Sequence, residues 1–123
     1  MPNNPIEAYH SVEKEALTGR ALEAAILSRA AVRLRAVRDQ WDSPERDPLL
    51  EDALRYNQRI WTLLQVELSN PENPLPKEIK ENLLTLSAFI DKRTFETMAY
   101  PAADKLDALI NINHNIAAGL RSE

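Results

Sequence analysis

Histidine is the residue type most used for proton transfer and metal binding near neutral pH, and this chain has two, His10 and His114, far apart in sequence. Neither stands in an HxxxH or HExxH spacing or beside an acidic pair, so neither predicts a metal site, and each reads as a surface or helix-end side chain. Nucleophilic chemistry has as little support. There is no cysteine, and no serine lies in a Gly-x-Ser-x-Gly setting. Two isolated glycines, Gly19 and Gly119, cannot build a loop that cradles phosphate. Glu51 and Asp52 are adjacent, and adjacent residues of a helix point to different parts of its surface rather than into one shared site. The expectation is a protein with no catalytic, cofactor-binding or metal-binding residues, and not an enzyme.

Amides are the polar groups that the pattern does place. Leu50, Leu54, Trp61, Leu64 and Leu68 form a helix-spaced apolar stripe, and Asn57 stands in its middle. In "LDALININHNIAAGL", Asn113 occupies the same kind of position between Leu109/Ile110 and Ile116/Leu120. An unpaired buried amide costs about 1–3 kcal/mol, so each asparagine should bond the other, a backbone group or a water. Two readings stay open: the pair fixes helix register, as a buried asparagine does in coiled coils, or it lines a groove for a partner helix. Trp61 is assigned to the core by its leucine neighbours. Tyr56, Arg59 and Leu63 lie off the stripe and form a candidate contact surface, joined as candidate partner-binding residues by Asp91, Lys92 and Arg93 of "IDKRTFETM". Lys92 and Glu96 are spaced to pair at i,i+4.

These residues need helices to hold them, and the sequence supplies helices almost throughout. "MPNNP" (residues 1–5) reads as a disordered lead-in, followed by a short helix on which Ile6, Tyr9, Val12 and Ala16 recur, ending near Thr18-Gly19. Thr18 then caps a helix to about Trp41 with Leu27, Ala30, Leu34, Val37 and Trp41 inward. "DSPERDP" breaks the chain, and Asp47 with Pro48 reads as an N-cap and first helical residue of a helix to about Ser69. The prolines of "NPENPLP" end that helix, and Pro76 starts another to about Ala99. Its stripe is Ile79, Leu83, Leu86 and Ile90, widened by Leu84, Phe89, Phe95 and Met98. A last helix from about Ala102 carries Leu106, Leu109, Ile110, Ile116 and Leu120 on one side. No stretch alternates with period two. The expected fold is all-α: one domain over residues 1–123, an antiparallel bundle of four long helices with a short N-terminal helix.

Length and charge agree with a single soluble domain. At 123 residues the chain can bury roughly two-thirds of its unfolded surface without disulfides or metals. Its first residues lack the basic and apolar regions of a secretory signal, and no run approaches the ~20 apolar residues of a membrane span, so a cytoplasmic location without membrane insertion is expected. The net charge of −4 is uneven: between Gly19 and Trp41 five arginines (Arg20, Arg29, Arg33, Arg35, Arg38) face two acids, giving +3 there and leaving −7 on the remainder. Such a helix is either a solvated face that meets acidic neighbours or a nucleic-acid surface. The absence of aromatics interleaved with the arginines favours the first.

Three phrases, "YNQRIWTLLQVEL", "NPENPLPKEIKENLLTLSAFIDKRTF" and "KLDALININHNIAAGL", resemble the flagellar biosynthesis regulator FlaF family of alphaproteobacteria, over about Leu50 to Leu120. The early "EAYHSVE" agrees more loosely, and Thr18-Gly19-Arg20-Ala21 departs from the Ser-Pro-Arg-Glu type of cap that FlaF-like chains carry. The resemblance implies a cytoplasmic helper of flagellum assembly, needed for flagellin to be made and exported and acting opposite the negative regulator FlbT. On that basis the expected partner is a terminal amphipathic segment of flagellin, held as by an export chaperone, with FlbT a further candidate. The alternative is a post-transcriptional regulator of flagellin that touches RNA through the Arg20–Arg38 helix.

Overall fold

The computed structural model describes residues 5–122, with side chains from residue 20 onward. Among the described residues every regular element is helical: α1 (Pro5–Asp39), α2 (Arg46–Ser69), α3 (Lys77–Ala99) and α4 (Leu106–Arg121), the last entered through a 3-10 turn at Ala103–Lys105. The break expected at Thr18-Gly19 does not occur. One helix of 35 residues takes the place of a short helix and its successor. A glycine inside a helix costs about 1 kcal/mol relative to alanine but keeps its N–H and its ladder bond, so with no proline behind it the helix runs on. Pro5, assigned above to the lead-in, opens α1, where its missing N–H has no intrahelical role. The stripe expected at Ile6, Tyr9, Val12 and Ala16, and His10 with it, lie outside the described side chains.

The other boundaries differ by a residue or two. α2 begins at Arg46 with Glu45 as N-cap, so Asp47 is in the first turn rather than capping it, and Pro48 follows. The first four N–H groups of any helix lack intrahelical partners, so proline fits this turn at more than one position. The Asp47 carboxylate accepts from Arg46 Nε at 3.1 Å and remains favoured at the positive end of the helix. Pro76 is the N-cap of α3 rather than its first residue, and its carbonyl accepts from Lys80 N–H at 3.0 Å.

The core lies between α1, α2 and α4. Leu27, Leu34, Leu54, Trp61, Leu106, Leu109 and Ile110 are all buried, and Ala24, Ala31 and Ala117 are small enough to let helix axes approach closely. α1 packs most extensively on α4. Three cross-helix pairs tie them: Arg38 to Asp107 at 2.9 Å, Arg35 to His114 at 2.8 Å and Arg121 to Ser28 at 2.8 Å. Rising numbers in α1 meet falling numbers in α4, so these two helices run in opposite directions.

α3 departs from its expected stripe. Ile90 is buried, but the other fully buried residues of this helix are Ser87, Thr94 and Thr97, while Leu83, Leu84 and Leu86 are half-buried and Ile79, Phe89, Phe95 and Met98 exposed. The reason is where α3 docks. It lies against α2 and barely reaches α4. The contact is part apolar, through Ile90 and Leu86, and part polar: Gln65 Nε2 donates to Ser87 Oγ and, at 2.9 Å, to Asp91 Oδ2. Larger apolar side chains of α3 are thereby left on its flanks and toward both of its ends.

Candidate functional site

Asn57 and Asn113 are both fully buried where α1, α2 and α4 meet, and neither lines a surface groove. Trp61 Nε1 donates to Asn113 Oδ1 at 2.9 Å, and Asn113 Nδ2 donates to Asn57 Oδ1 at 2.6 Å and more weakly to the Leu27 carbonyl at 3.4 Å. Both amide orientations are forced. Indole N–H can only donate and a carbonyl can only accept, so Asn113 has one setting, and that setting requires an oxygen from Asn57. Asn57 Nδ2 is left with no partner. The arrangement engages these amides with one another, with Trp61 and with the Leu27 carbonyl inside the core.

The accessible apolar surface lies beside it. Ile26 of α1 and Ile60 and Leu63 of α2 line a cleft of about 160 Å³ with Glu23, Leu27, Leu64 and Glu67. The same last four residues also line a cleft of about 240 Å³ that reaches Leu75, Leu83 and Leu120. The two clefts share these four residues and so adjoin, and together they are called the trough. Leu63 is 67% exposed, as is Val66 on the same helix. Tyr56 is half-buried on the same flank of α2 under the Arg33 guanidinium, 4.0 Å from its ring centroid, and Arg59 is exposed nearby in sequence. Glu23 is half-buried, and its carboxyl is pushed above the usual range by burial first and by Glu67 second, with Arg20 pulling the other way.

Asp91, Lys92 and Arg93 do not converge on that trough. Asp91 is tied to Gln65, Lys92 is exposed, and Arg93 lies 5.4 Å from the Phe89 ring with its Nε 3.9 Å from Glu96. Glu96 therefore faces Arg93 at i,i+3, and the pairing expected with Lys92 is not among the ion pairs of the described residues. The arginines of α1 are dispersed as well. Arg33 stacks on Tyr56, Arg35 reaches His114, and Arg38 meets Asp107 and Asp39, where the Asp107 hydrogen bond holds its guanidinium above the ordinary range. Since Arg35 can only donate, His114 Nε2 accepts, which puts the ring proton on Nδ1.

The family model described as flagellar protein FlaF matches residues 5–120. The chain belongs to the FlaF family. The match spans all four helices, so the trough and the buried amides of this FlaF-family chain both fall inside the matched region. No curated protein and no solved structure matches the chain. Of the contact residues expected from sequence, Leu63 lines the trough and Tyr56 lies beside it, while Glu23, Glu67, Ile26 and Ile60, which also line it, were not singled out. A usable signal was present: Leu22 and Ile26 repeat at i,i+4, with Ile26 one position before buried Leu27, and Ile60 and Leu63 repeat at i,i+3, each one position before Trp61 and Leu64.

Proposed function

We propose that this flagellar protein is a cytoplasmic export chaperone that holds a terminal amphipathic segment of flagellin in the trough between α1 and α2. The observation that carries the reading is the solvent-open apolar surface of Ile26, Ile60 and Leu63 between α1 and α2. A segment that becomes helical in a filament has an apolar face with no partner beforehand, and laying that face in a groove of helices removes it from water. Held flagellin is withdrawn from the pool that represses its own production, so synthesis rises as a consequence of binding. The four-helix fold serves as the base of the trough, and no catalytic role is proposed.

The second reading, a post-transcriptional regulator acting with FlbT on flagellin messenger RNA, needs a contiguous basic surface. Arg33, Arg35 and Arg38 being engaged by Tyr56, His114 and Asp107 argues against it. The deciding experiment is calorimetric titration of the purified chain with flagellin from the same organism, full length and lacking either terminal segment. The expected result is micromolar or tighter binding that one truncation abolishes. No binding to flagellin, together with a salt-sensitive shift of its messenger RNA, would overturn the chaperone reading in favour of the regulator.

A further inference from the structure

We infer that the trough is built for an amphipathic helix carrying one lysine or arginine on its apolar face, with that cation seated between Glu23 and Glu67. The inference rests on the flagellin-binding reading and adds the chemistry of the segment held.

Glu23 stands on the α1 wall and Glu67 on the α2 wall, and both line both clefts. An apolar helix laid over Ile26, Ile60 and Leu63 would cover these carboxylates too. Covering a charge without a counter-charge is costly, so a purely apolar ligand would bind against its own desolvation. In the free protein the position is already under-compensated: burial and Glu67 together outweigh Arg20 in their effect on Glu23. A cation from the ligand would relieve both acids at once while its methylene stem lies along Leu27 and Leu64.

The other end of the seam has the opposite character. Arg33 covers Tyr56 there, ten residues further along α1, which at 1.5 Å per residue is roughly 15 Å away. A ligand cation at that end would meet Arg33 opposite the single acid Asp52, whereas at the other it meets Glu23 and Glu67 against the single cation Arg20, so the charge gradient favours the Glu23 end and orients the bound helix.

The test uses the full chain and purified flagellin from the same organism, titrated calorimetrically at low and high salt against the parent, Glu23→Gln/Glu67→Gln and Glu67→Lys. The double variant should bind at least ten-fold more weakly at low salt and lose most of the parent's salt dependence, with a larger loss for Glu67→Lys. Circular dichroism should show both variants as helical as the parent, and the double variant no less stable at neutral pH, since it removes a carboxyl that burial penalises. A stable variant that binds poorly separates recognition from folding. Unchanged affinity in both variants overturns the seated cation while leaving flagellin binding intact. Failure of the parent to bind flagellin overturns both. Concentration-dependent dimerisation of the parent that Leu63→Ser abolishes would make a second copy of the chain the occupant and overturn the proposal as stated.

Discussion

Trp61 donates its indole N–H to Asn113 Oδ1 at 2.9 Å, a bond from α2 to α4 between two side chains with no exposed surface. Asn113 extends the connection to Asn57 and to the Leu27 carbonyl, so one amide touches all three helices of the core. Rotating α4 by one residue would aim an isoleucine or a histidine at the indole, and neither reproduces the acceptor together with the two donor contacts. The network accordingly selects one rotational setting of α4 over α1 and α2.

That geometry makes the two asparagines unequal. Asn113→Leu strands the Trp61 N–H and the Asn57 oxygen in the core, whereas Asn57→Leu also removes an amide nitrogen that has no partner. At about 1–3 kcal/mol for each stranded group, Asn113→Leu should cost more than Asn57→Leu by at least about 1 kcal/mol. Urea unfolding of both variants measures this. Equal costs, or the reverse order, would mean that the amide network does not set the stability of the junction.

The burial of both asparagines was legible because a polar residue at an apolar position of a strong period has to be inside. The helix content and the positions of α2, α3 and α4 followed from prolines, which leave a steric mark on their neighbours. Gly19 leaves a weaker one: its cost of about 1 kcal/mol does not by itself end a helix, so the break expected there became part of one long helix. The face of α3 was misjudged for a different reason. Its apolar period indicates a direction, but how much of a stripe is covered depends on how far the neighbours extend, and α4 barely meets α3. Glu23 and Glu67 come from different helices, and nothing in either local pattern announces that they line one trough.

Gly119 offers a test of helix energetics at no steric risk. It lies inside α4, has no positive φ, and a Cβ added there would meet nothing within 4 Å. Gly119→Ala should stabilise the protein by about 0.5–1 kcal/mol, chiefly by narrowing the unfolded ensemble. Chemical denaturation with an unchanged m-value would confirm it, and a loss of stability would show that α4 frays before that position.

Glu23 predicts a pH dependence of a definite sign. A carboxyl whose folded pKa is raised favours the folded state most below the unfolded carboxyl range, and that contribution is lost as pH rises through the raised folded value. Glu23→Gln should therefore match or fall below the parent in acid and overtake it as pH rises to neutrality. Glu67→Gln should bring the Glu23 titration, followed by carboxyl NMR, back toward the ordinary carboxylate range, since Glu67 is one of the two causes of the shift. A Glu23 titration that ignores Glu67 would remove the electrostatic part of the argument.

Leu63 and Phe95 are both large, apolar and largely exposed, at 67% and 76%, but only Leu63 lines the trough. Their replacement separates the trough from apolar surface in general. Leu63→Ser should leave stability within about 0.5 kcal/mol of the parent, as surface changes do. It should nevertheless weaken flagellin binding about 10- to 100-fold, the equivalent of the roughly 1.5–3 kcal/mol released when a leucine is fully buried. Phe95→Ser should leave binding unchanged. Calorimetry on the two variants reads both outcomes in one experiment, and the reverse result would relocate the contact to the outer side of α3, next to Asp91 and Lys92. That outcome would also explain why α3 buries threonines and a serine while leaving a phenylalanine in water, a choice that the trough alone does not require.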